Sequence, residues 1–128
     1  MTLSLDMNCD MGESFGAWPM GQDERVMPFI SSANIACGYH AGDASTMRKT
    51  VACALAHNVA LGAHPGLPDI QGFGRRFMQI TEQEAYDFVV AQVGALAGVA
   101  ASQGAKLNHF KAHGMLYNMA VKDRALAR

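Results

Sequence analysis

Short strand-like segments alternate with helix-like segments along this chain. Strands are predicted over 3–9, 33–38, 59–63 and 107–112. Because helical patterns separate them, the strands are expected to run parallel to one another, joined by helical crossovers. Parallel strands are normally covered by helices, so this order restricts the chain to an open α/β sheet or a (β/α) barrel.

Two helices are predicted with defined ends. The clearer one covers 82–103 and stops at Gly104, which is typical of the residue after a helix end. Thr81 and Glu84 have the spacing of a capping box. Its apolar stripe consists of Ala85, Val89, Val93, Leu96 and Ala100.

The second helix is predicted over about 44–57, with Asp43 as its N-cap and Asn58 as its stop. Its buried face is expected to contain Met47, Val51 and Leu55. A short helical turn is predicted around 23–30. Residues 65–80 are rich in proline and glycine, so they are predicted to form a long loop, and such loops are often functional.

The end of the chain, HGMLYNMAVKDRALAR, has a helical pattern after the fourth strand. Four βα units are half of a closed eight-stranded barrel. We therefore expect a single α/β domain over residues 1–128 that forms part of a (β/α) barrel, as the N-terminal half of a longer one. Such a half would leave a strand edge and apolar surface exposed, and self-association as a homo-oligomer would be one way to cover them.

The composition excludes several classes of protein. Half of the 128 residues are hydrophobic, which is enough for a packed core. The net charge of −1 and the absence of a basic run argue against nucleic acid and membrane surfaces as partners. No uninterrupted apolar run reaches transmembrane length, and aspartates at positions 6 and 10 come too early for a signal peptide. We expect a soluble cytoplasmic protein.

Polar side chains fall on one face of every predicted strand. Side chains of a strand alternate between its faces, so the residues can be assigned by parity. The polar face carries Asp6, Asn8 and Asp10 in the first strand, Asn34 and His40 in the second, His64 in the third, and His109, Lys111 and His113 in the fourth. Ligands of parallel α/β folds bind beyond the carboxyl ends of the strands, so these side chains predict a site at that edge.

Two loops add charged candidates to this edge. Glu13 follows Asp10 in DMGES, and Arg75 lies beside glycines in GFGRR. A guanidinium group suits a carboxylate or phosphate ligand. Gly114 precedes a helix whose N-terminal N–H groups favour anions.

Common catalytic motifs are absent from the sequence. It contains no GxxxxGK[ST] loop, no GxGxxG and no GxSxG elbow. Three cysteines without a CxxC pair make a disulfide framework or zinc knuckle improbable. Cys37 and His40 fall on opposite faces, which disfavours a Cys–His nucleophilic pair.

Five motifs resemble the LamB/YcsF family. They are LDMNCDMGESFGAW, SSANIACGYHAGD, GAHPGLPD, GFGRR and KAHGMLYN, in that order. They cover essentially the whole chain but only the N-terminal half of a usual family member. One departure is Ala112, where the family pattern leads us to expect proline.

The resemblance implies an irregular (β/α) barrel related to polysaccharide deacetylases. It further implies ATP-dependent opening of 5-oxo-L-proline to L-glutamate, by a 5-oxoprolinase complex with partner subunits B and C. ATP would be a co-substrate, since phosphorylating a lactam oxygen creates a better electrophile. A divalent metal is compatible with the resemblance but is not required by it.

The candidate residues can be matched to this chemistry. Catalytic candidates are Asp10, Glu13, His40, His64, Lys111 and His113, and substrate-binding candidates are Asn8, Asn34 and Arg75. Lys111 and Arg75 would supply positive charge to the oxygens. Asp10 is the expected base for water, with His40 or His64 as acid or substrate hydrogen-bonder.

Two other functions are compatible with the same residues. In a metal-dependent amide hydrolase, Asp10, His40 and His64 would hold a divalent ion with open coordination positions. In a non-catalytic binding protein, the same edge would bind substrate and leave the chemistry to partner chains. We also expect weak stability or self-association if the rest of a barrel is missing.

Overall fold

The structure is a computed structural model that describes residues 3–128. Its centre is a four-stranded parallel sheet in the order β1-β2-β3-β4. The strands are β1 (Asn8–Met11), β2 (Ser32–Ala36), β3 (Ala60–His64) and β4 (His109–Phe110). The predicted α/β class with parallel strands is confirmed, and the structure adds that neighbouring strands follow the chain order.

Helices connect the strands in the predicted order. They are α1 (Asp23–Val26), α2 (Ala44–Ala56), α3 (Glu82–Ala101) and α4 (Gly114–Lys122), and a 3-10 turn, Met27–Phe29, follows α1. Residues 65–80 form a loop without a helix or strand, as predicted. Pro28 lies early in the 3-10 turn, where its missing N–H leaves no helical hydrogen bond unmade.

The first strand begins later than predicted, at Asn8 rather than at residue 3. Its partner strand begins at Ser32, which pairs with Asn8, so the residues before Asn8 lack a continuous ladder. Leu3 and Leu5 are 95% and 80% exposed. The fourth strand is also shorter than predicted, since only its two residues His109 and Phe110 pair with β3.

The predicted helix caps are present. The Thr81 hydroxyl accepts from the Glu84 N–H, and the Glu84 carboxylate accepts from the Thr81 N–H. The Asp43 carboxylate accepts from the Thr46 N–H at the start of α2. Asn58 has a φ of 57°, which reverses the chain just after α2.

The main core lies between the sheet and helices α2 and α3. Residues of the opposite parity to the polar face are buried here, including Ile35 and Cys37. Leu55 was expected on the buried face of α2 but is 37% exposed. Ala54 is buried instead, because it continues the helical spacing of Met47 and Val51 at i+7 and i+3.

A buried glutamine fastens the 65–80 loop to helix α3. Gln92 Nε2 donates to the Gly66 carbonyl at 2.9 Å, and Gln92 Oε1 accepts from the Gly66 N–H at 2.9 Å. Gln92 is 1% exposed, so both Gly66 groups depend on it rather than on water. The start of the loop is therefore fixed relative to the sheet.

Helix α3 is long and apolar enough, by length and composition, to cross a membrane, and among residues 3–128 it alone passes this test. This is weak evidence, since core helices of soluble proteins pass it too. Here one side of the helix, which includes Leu96 and Ala100, packs into the main core.

Replacing Gln92 should destabilise the fold through the loop. We expect Gln92→Leu to lower the free energy of unfolding by about 2 kcal/mol or more, because two buried backbone groups lose their partners. Chemical denaturation measures this change. Gln83→Leu, at an exposed position on the same helix, is the control and should change stability by less than about 0.5 kcal/mol. Equal effects of the two substitutions would contradict the anchoring role.

Candidate active site

One row of paired residues crosses the polar face of the sheet. Asp10 pairs with Asn34, Asn34 with Gly62, and Gly62 with His109. Residues in register on parallel strands present their side chains side by side on the same face. Gly62 has no side chain, and a Cβ built there would overlap the His109 ring. The imidazole therefore lies over β3.

This row forms a chain of hydrogen bonds that ends at Asp10. His109 Nε2 lies 2.7 Å from Asn34 Oδ1 and donates to it, since an amide oxygen only accepts. Asn34 Nδ2 donates to Asp10 Oδ1 at 2.8 Å. His109 was placed on the polar face by parity but was not chosen as a site residue. The glycine opposite it in the next strand was the signal that could have identified it.

The Asp10 carboxylate contacts both Lys111 and His64. Lys111 Nζ donates to Asp10 Oδ1 at 2.7 Å, and His64 Nε2 lies 3.4 Å from Asp10 Oδ2. Hydrogen bonding to His64, together with that to Lys111 and Asn34, holds the pKa of the Asp10 carboxyl well below its usual range. Asp10 is therefore ionised and a weaker proton acceptor than an ordinary aspartate.

Three imidazoles pack together behind Asp10. His64 Nε2 and His113 Nδ1 are 3.0 Å apart, with their rings nearly perpendicular. The His40 ring stacks on the His113 ring, with centroids 3.7 Å apart and an interplanar angle of 7°. All three residues are at most 4% exposed. Burial lowers the pKa of His113 to about 4 and also lowers that of His40, so both rings are neutral at pH 7.

Glycines in the 65–80 loop make room for this cluster. A Cβ at Gly66 would lie 2.6 Å from His40 Nδ1, and one at Gly74 would lie 2.7 Å from His40 Cβ. Gly74 also has a φ of 63°, in the region that favours glycine. The loop can therefore pack directly against the imidazoles.

Glu13 reaches the cluster from the loop after β1. Its Oε1 lies 3.4 Å from His40 Nε2. One ligand atom from each of Glu13, His40, His64 and His113 lies within 4.8 Å of the others, a spacing that could hold a metal ion. The set differs from the predicted Asp10, His40 and His64, since it includes Glu13 and His113 and leaves out Asp10. Asp10 Oδ1 accepts from Lys111 and Asn34 instead.

A solvent-accessible pocket of about 520 Å³ opens at this edge of the sheet. Its walls comprise Asp10, His64, Arg75, Lys111, Ala112, His113, Gly114, Tyr117 and Asn118. It thus combines one carboxylate, two cationic side chains and two imidazoles. Arg75 lies on the wall, whereas the neighbouring Arg76 is paired with Asp69 within the loop.

Seven of the nine sequence candidates fall into two groups. Those on the pocket wall are Asp10, His64, Arg75, Lys111 and His113. Behind it lie Asn34 and His40, which are 0% and 1% exposed. Asn34 was predicted to bind substrate, but it is closed off from solvent, and its amide is used by Asn8, Asp10 and His109. Asn8 contacts Asn34 and Ser32.

A family model described as the LamB/YcsF family matches residues 5–128. The chain belongs to the LamB/YcsF family. The match covers every strand and helix described above, so the resemblance noted from the five sequence motifs is confirmed.

Curated relatives in this family are named as the A-subunit of 5-oxoprolinase. The protein from Bordetella pertussis is 75% identical over all 128 residues, which make up 51% of its length. That from Tolumonas auensis is 68% identical over 96% of this chain and 49% of its own. The chain therefore spans about half the length of the curated relatives it matches.

A solved structure supports the same fold. The lactam utilization protein from Thermus thermophilus superposes with a TM-score of 0.96 at 46% identity. The superposition covers 98% of this chain and 51% of the Thermus chain. The parallel sheet and its helices therefore correspond to one part of a larger LamB/YcsF protein, as expected for a partial barrel.

Adding a methyl group at Gly62 should disrupt the row. We expect Gly62→Ala to lower the free energy of unfolding by about 1–3 kcal/mol, because the Cβ displaces the His109 ring and breaks its bond to Asn34. Denaturant titration measures this. Gly94→Ala is the matched control, since Gly94 lies in helix α3 with open space where its Cβ would go, and it should stabilise by about 0.5–1 kcal/mol.

The double variant Gly62→Ala/His109→Ala tests the stated cause. Removing the ring should recover part of the loss seen with Gly62→Ala alone, because the overlap disappears. Strictly additive losses would show that the ring over Gly62 is not what makes the glycine necessary.

Proposed function

We propose that this chain takes part in the opening of the cyclic amide 5-oxo-L-proline to L-glutamate, coupled to ATP hydrolysis. The observation that carries the proposal is the pocket at the carboxyl edge of the sheet, where Asp10, Lys111, Arg75 and two imidazoles converge. The names of the relatives, the 5-oxoprolinase A-subunit and the lactam utilization protein, supply the substrate class.

The cationic side chains suit the oxygens of this reaction. A lactam is a poor electrophile, and phosphorylation of its oxygen requires positive charge around the phosphoryl oxygens. Lys111 Nζ is fixed by Asp10 at 2.7 Å and is 46% exposed in its side chain, so it can also face a ligand in the pocket. Arg75 lies on the same wall and offers a planar fork for a carboxylate or a phosphoryl group.

For Asp10 we propose a different role from that of a base, which was expected from the sequence. Its lowered pKa makes it a weak base for ordinary water, while its two oxygens hold Lys111 and His64 in place. We propose that Asp10 mainly orients these two groups. His64 is preferred to His40 as a substrate neighbour, since His64 lies on the pocket wall and His40 lies behind it.

Partner chains complete the proposed activity. The relatives are named as one lettered component of 5-oxoprolinase, which implies a complex, and we propose its B- and C-type subunits as the partners. ATP is proposed as a co-substrate of the complex. The sequence has neither GxxxxGK[ST] nor GxGxxG. We therefore propose that a partner subunit contributes part of the nucleotide site.

A non-catalytic substrate-binding role is the alternative. The chain would use the same pocket to hold 5-oxoproline while a partner performed the chemistry. The two functions differ in what loss of Lys111 does, because a purely binding role changes KM more than kcat.

Loss of Lys111 should abolish most of the activity. We expect Lys111→Met to lower kcat/KM by about 100-fold or more, with kcat falling as well, because the reaction loses a cation next to its oxygens. The measurement is glutamate formation by the chain mixed with B- and C-type subunits, with and without ATP. Lys106→Met, an exposed lysine ahead of β4, is the control and should leave both constants unchanged.

Three results would count against the proposal. Glutamate formation that does not need ATP would remove the phosphorylation step. Unchanged activity in Lys111→Met would remove the assigned role of the pocket cation. A rise in KM with kcat intact would favour the purely binding role.

A further inference from the structure

Two buried histidines are held in fixed tautomers by backbone carbonyls. His64 Nδ1 lies 2.6 Å from the Lys111 carbonyl, and His113 Nε2 lies 2.7 Å from the Phe73 carbonyl. A carbonyl oxygen only accepts hydrogen bonds, so both ring nitrogens must carry a proton and donate it. The remaining nitrogens, His64 Nε2 and His113 Nδ1, therefore carry a lone pair whenever their rings are neutral.

These two lone-pair nitrogens face each other. They are 3.0 Å apart, which is hydrogen-bond distance. With both rings neutral, two acceptors at that separation repel one another, and the residues are almost fully buried. The arrangement therefore suits a positive species that both nitrogens bind, either a shared proton or a metal ion.

The separation matches that of neighbouring metal ligands. A histidine nitrogen lies about 2.0–2.1 Å from zinc, which puts two adjacent ligand nitrogens roughly 3.0–3.4 Å apart in octahedral to tetrahedral geometry. A ligating histidine usually donates its other N–H to a carbonyl or carboxylate, which fixes the ring orientation. His64 and His113 both do so.

Glu13 brings a carboxylate close to these nitrogens, since its ligand atom lies within 4.8 Å of those of the histidines. His40 belongs to this group by distance but not by direction. Its ring is parallel to that of His113 at a centroid separation of 3.7 Å, so the in-plane lone pairs of the two rings do not converge on one point. His40 Nε2 faces Glu13 at 3.4 Å and can orient that carboxylate.

We propose that His64 Nε2, His113 Nδ1 and the Glu13 carboxylate bind one divalent transition-metal ion of the zinc and cobalt class. Two nitrogens and one oxygen are ligands of the kind these ions take in catalytic sites, with further positions left open. The open side faces the pocket, where His64 and His113 form part of the wall. His40 is a positioning residue that acts through Glu13.

When bound, such an ion would lower the pKa of a coordinated water or polarise a carbonyl oxygen. Asp10 Oδ2 lies 3.4 Å from His64 Nε2, so an ionised carboxylate would stand next to the ion. The metal proposal does not rest on lactam hydrolysis, because ion binding can be measured without ATP, substrate or partner subunits.

Titration of the metal-free chain with Co²⁺ tests the site directly. We expect one equivalent per chain and a visible d–d absorption spectrum with nitrogen and oxygen ligands, and Zn²⁺ should displace the Co²⁺. Isothermal titration calorimetry with Zn²⁺ alone gives the affinity. Circular dichroism of each variant establishes that it is folded.

Matched variants separate ligands from neighbours. Glu13→Gln and His113→Gln should each weaken Zn²⁺ binding by about 100-fold or more, whereas His40→Gln should weaken it by no more than about the 10–100-fold typical of an outer-shell partner. His57→Gln is the control, because His57 lies beside Cys53 at the end of α2 and presents a second nitrogen and sulfur pair away from the proposed site. It should bind like the unaltered chain.

Glu13→Gln keeps the test valid if the buried His113 variant does not fold, since Glu13 lies in the loop after β1 and in neither apolar cluster. No saturable uptake of Co²⁺ or Zn²⁺ would overturn the proposal and leave a shared proton between the imidazoles. Loss of binding in His57→Gln with full binding in Glu13→Gln would place the ion elsewhere. Either failure would leave the lactam assignment standing.

Discussion

The site depends on one missing side chain, at Gly62. Its position in the row from Asp10 to His109 lets an imidazole cross β3 and bond Asn34, which in turn bonds Asp10. Any Cβ there would separate β4 from β2 on the polar face. Side chains thus link the two outer strands of the row across the sheet, in addition to the backbone ladder. Through Asn34, His109 on β4 helps to orient Asp10 on β1.

The division of the sheet into two faces explains how a polar row coexists with a stable core. Helices α2 and α3 cover the face that contains Ile35 and Cys37, so the main apolar core forms without the other face. On that other face, Asn34 uses both amide hydrogens and its oxygen with Asn8, Asp10 and His109. A buried amide with every group bonded adds rigidity without an unpaired polar atom.

Local patterns predicted most of the fold and the strand-borne part of the site. Parity placed Asp10, His64 and Lys111 on one face because the two-residue period is set by the strand backbone itself. Contacts made by loops could not be predicted, because no local sequence pattern indicates that Glu13 approaches His40 or that Gln92 binds Gly66. The first strand was predicted to begin too early because a strand begins where its partner begins. Asp10 was expected to be a base, but its proton affinity is set by neighbours from other strands.

Satisfied and unsatisfied polar groups separate the scaffold from the reactive part of the site. Asn34 is fully bonded, whereas His40 Nδ1 is buried without a hydrogen-bond partner among the described residues. Unrelieved acceptors are costly in a buried position, so they persist where a ligand relieves the cost. His40 stacks on His113, which forms part of the pocket wall. Among the described residues, the buried nitrogen without a partner therefore lies directly behind that wall.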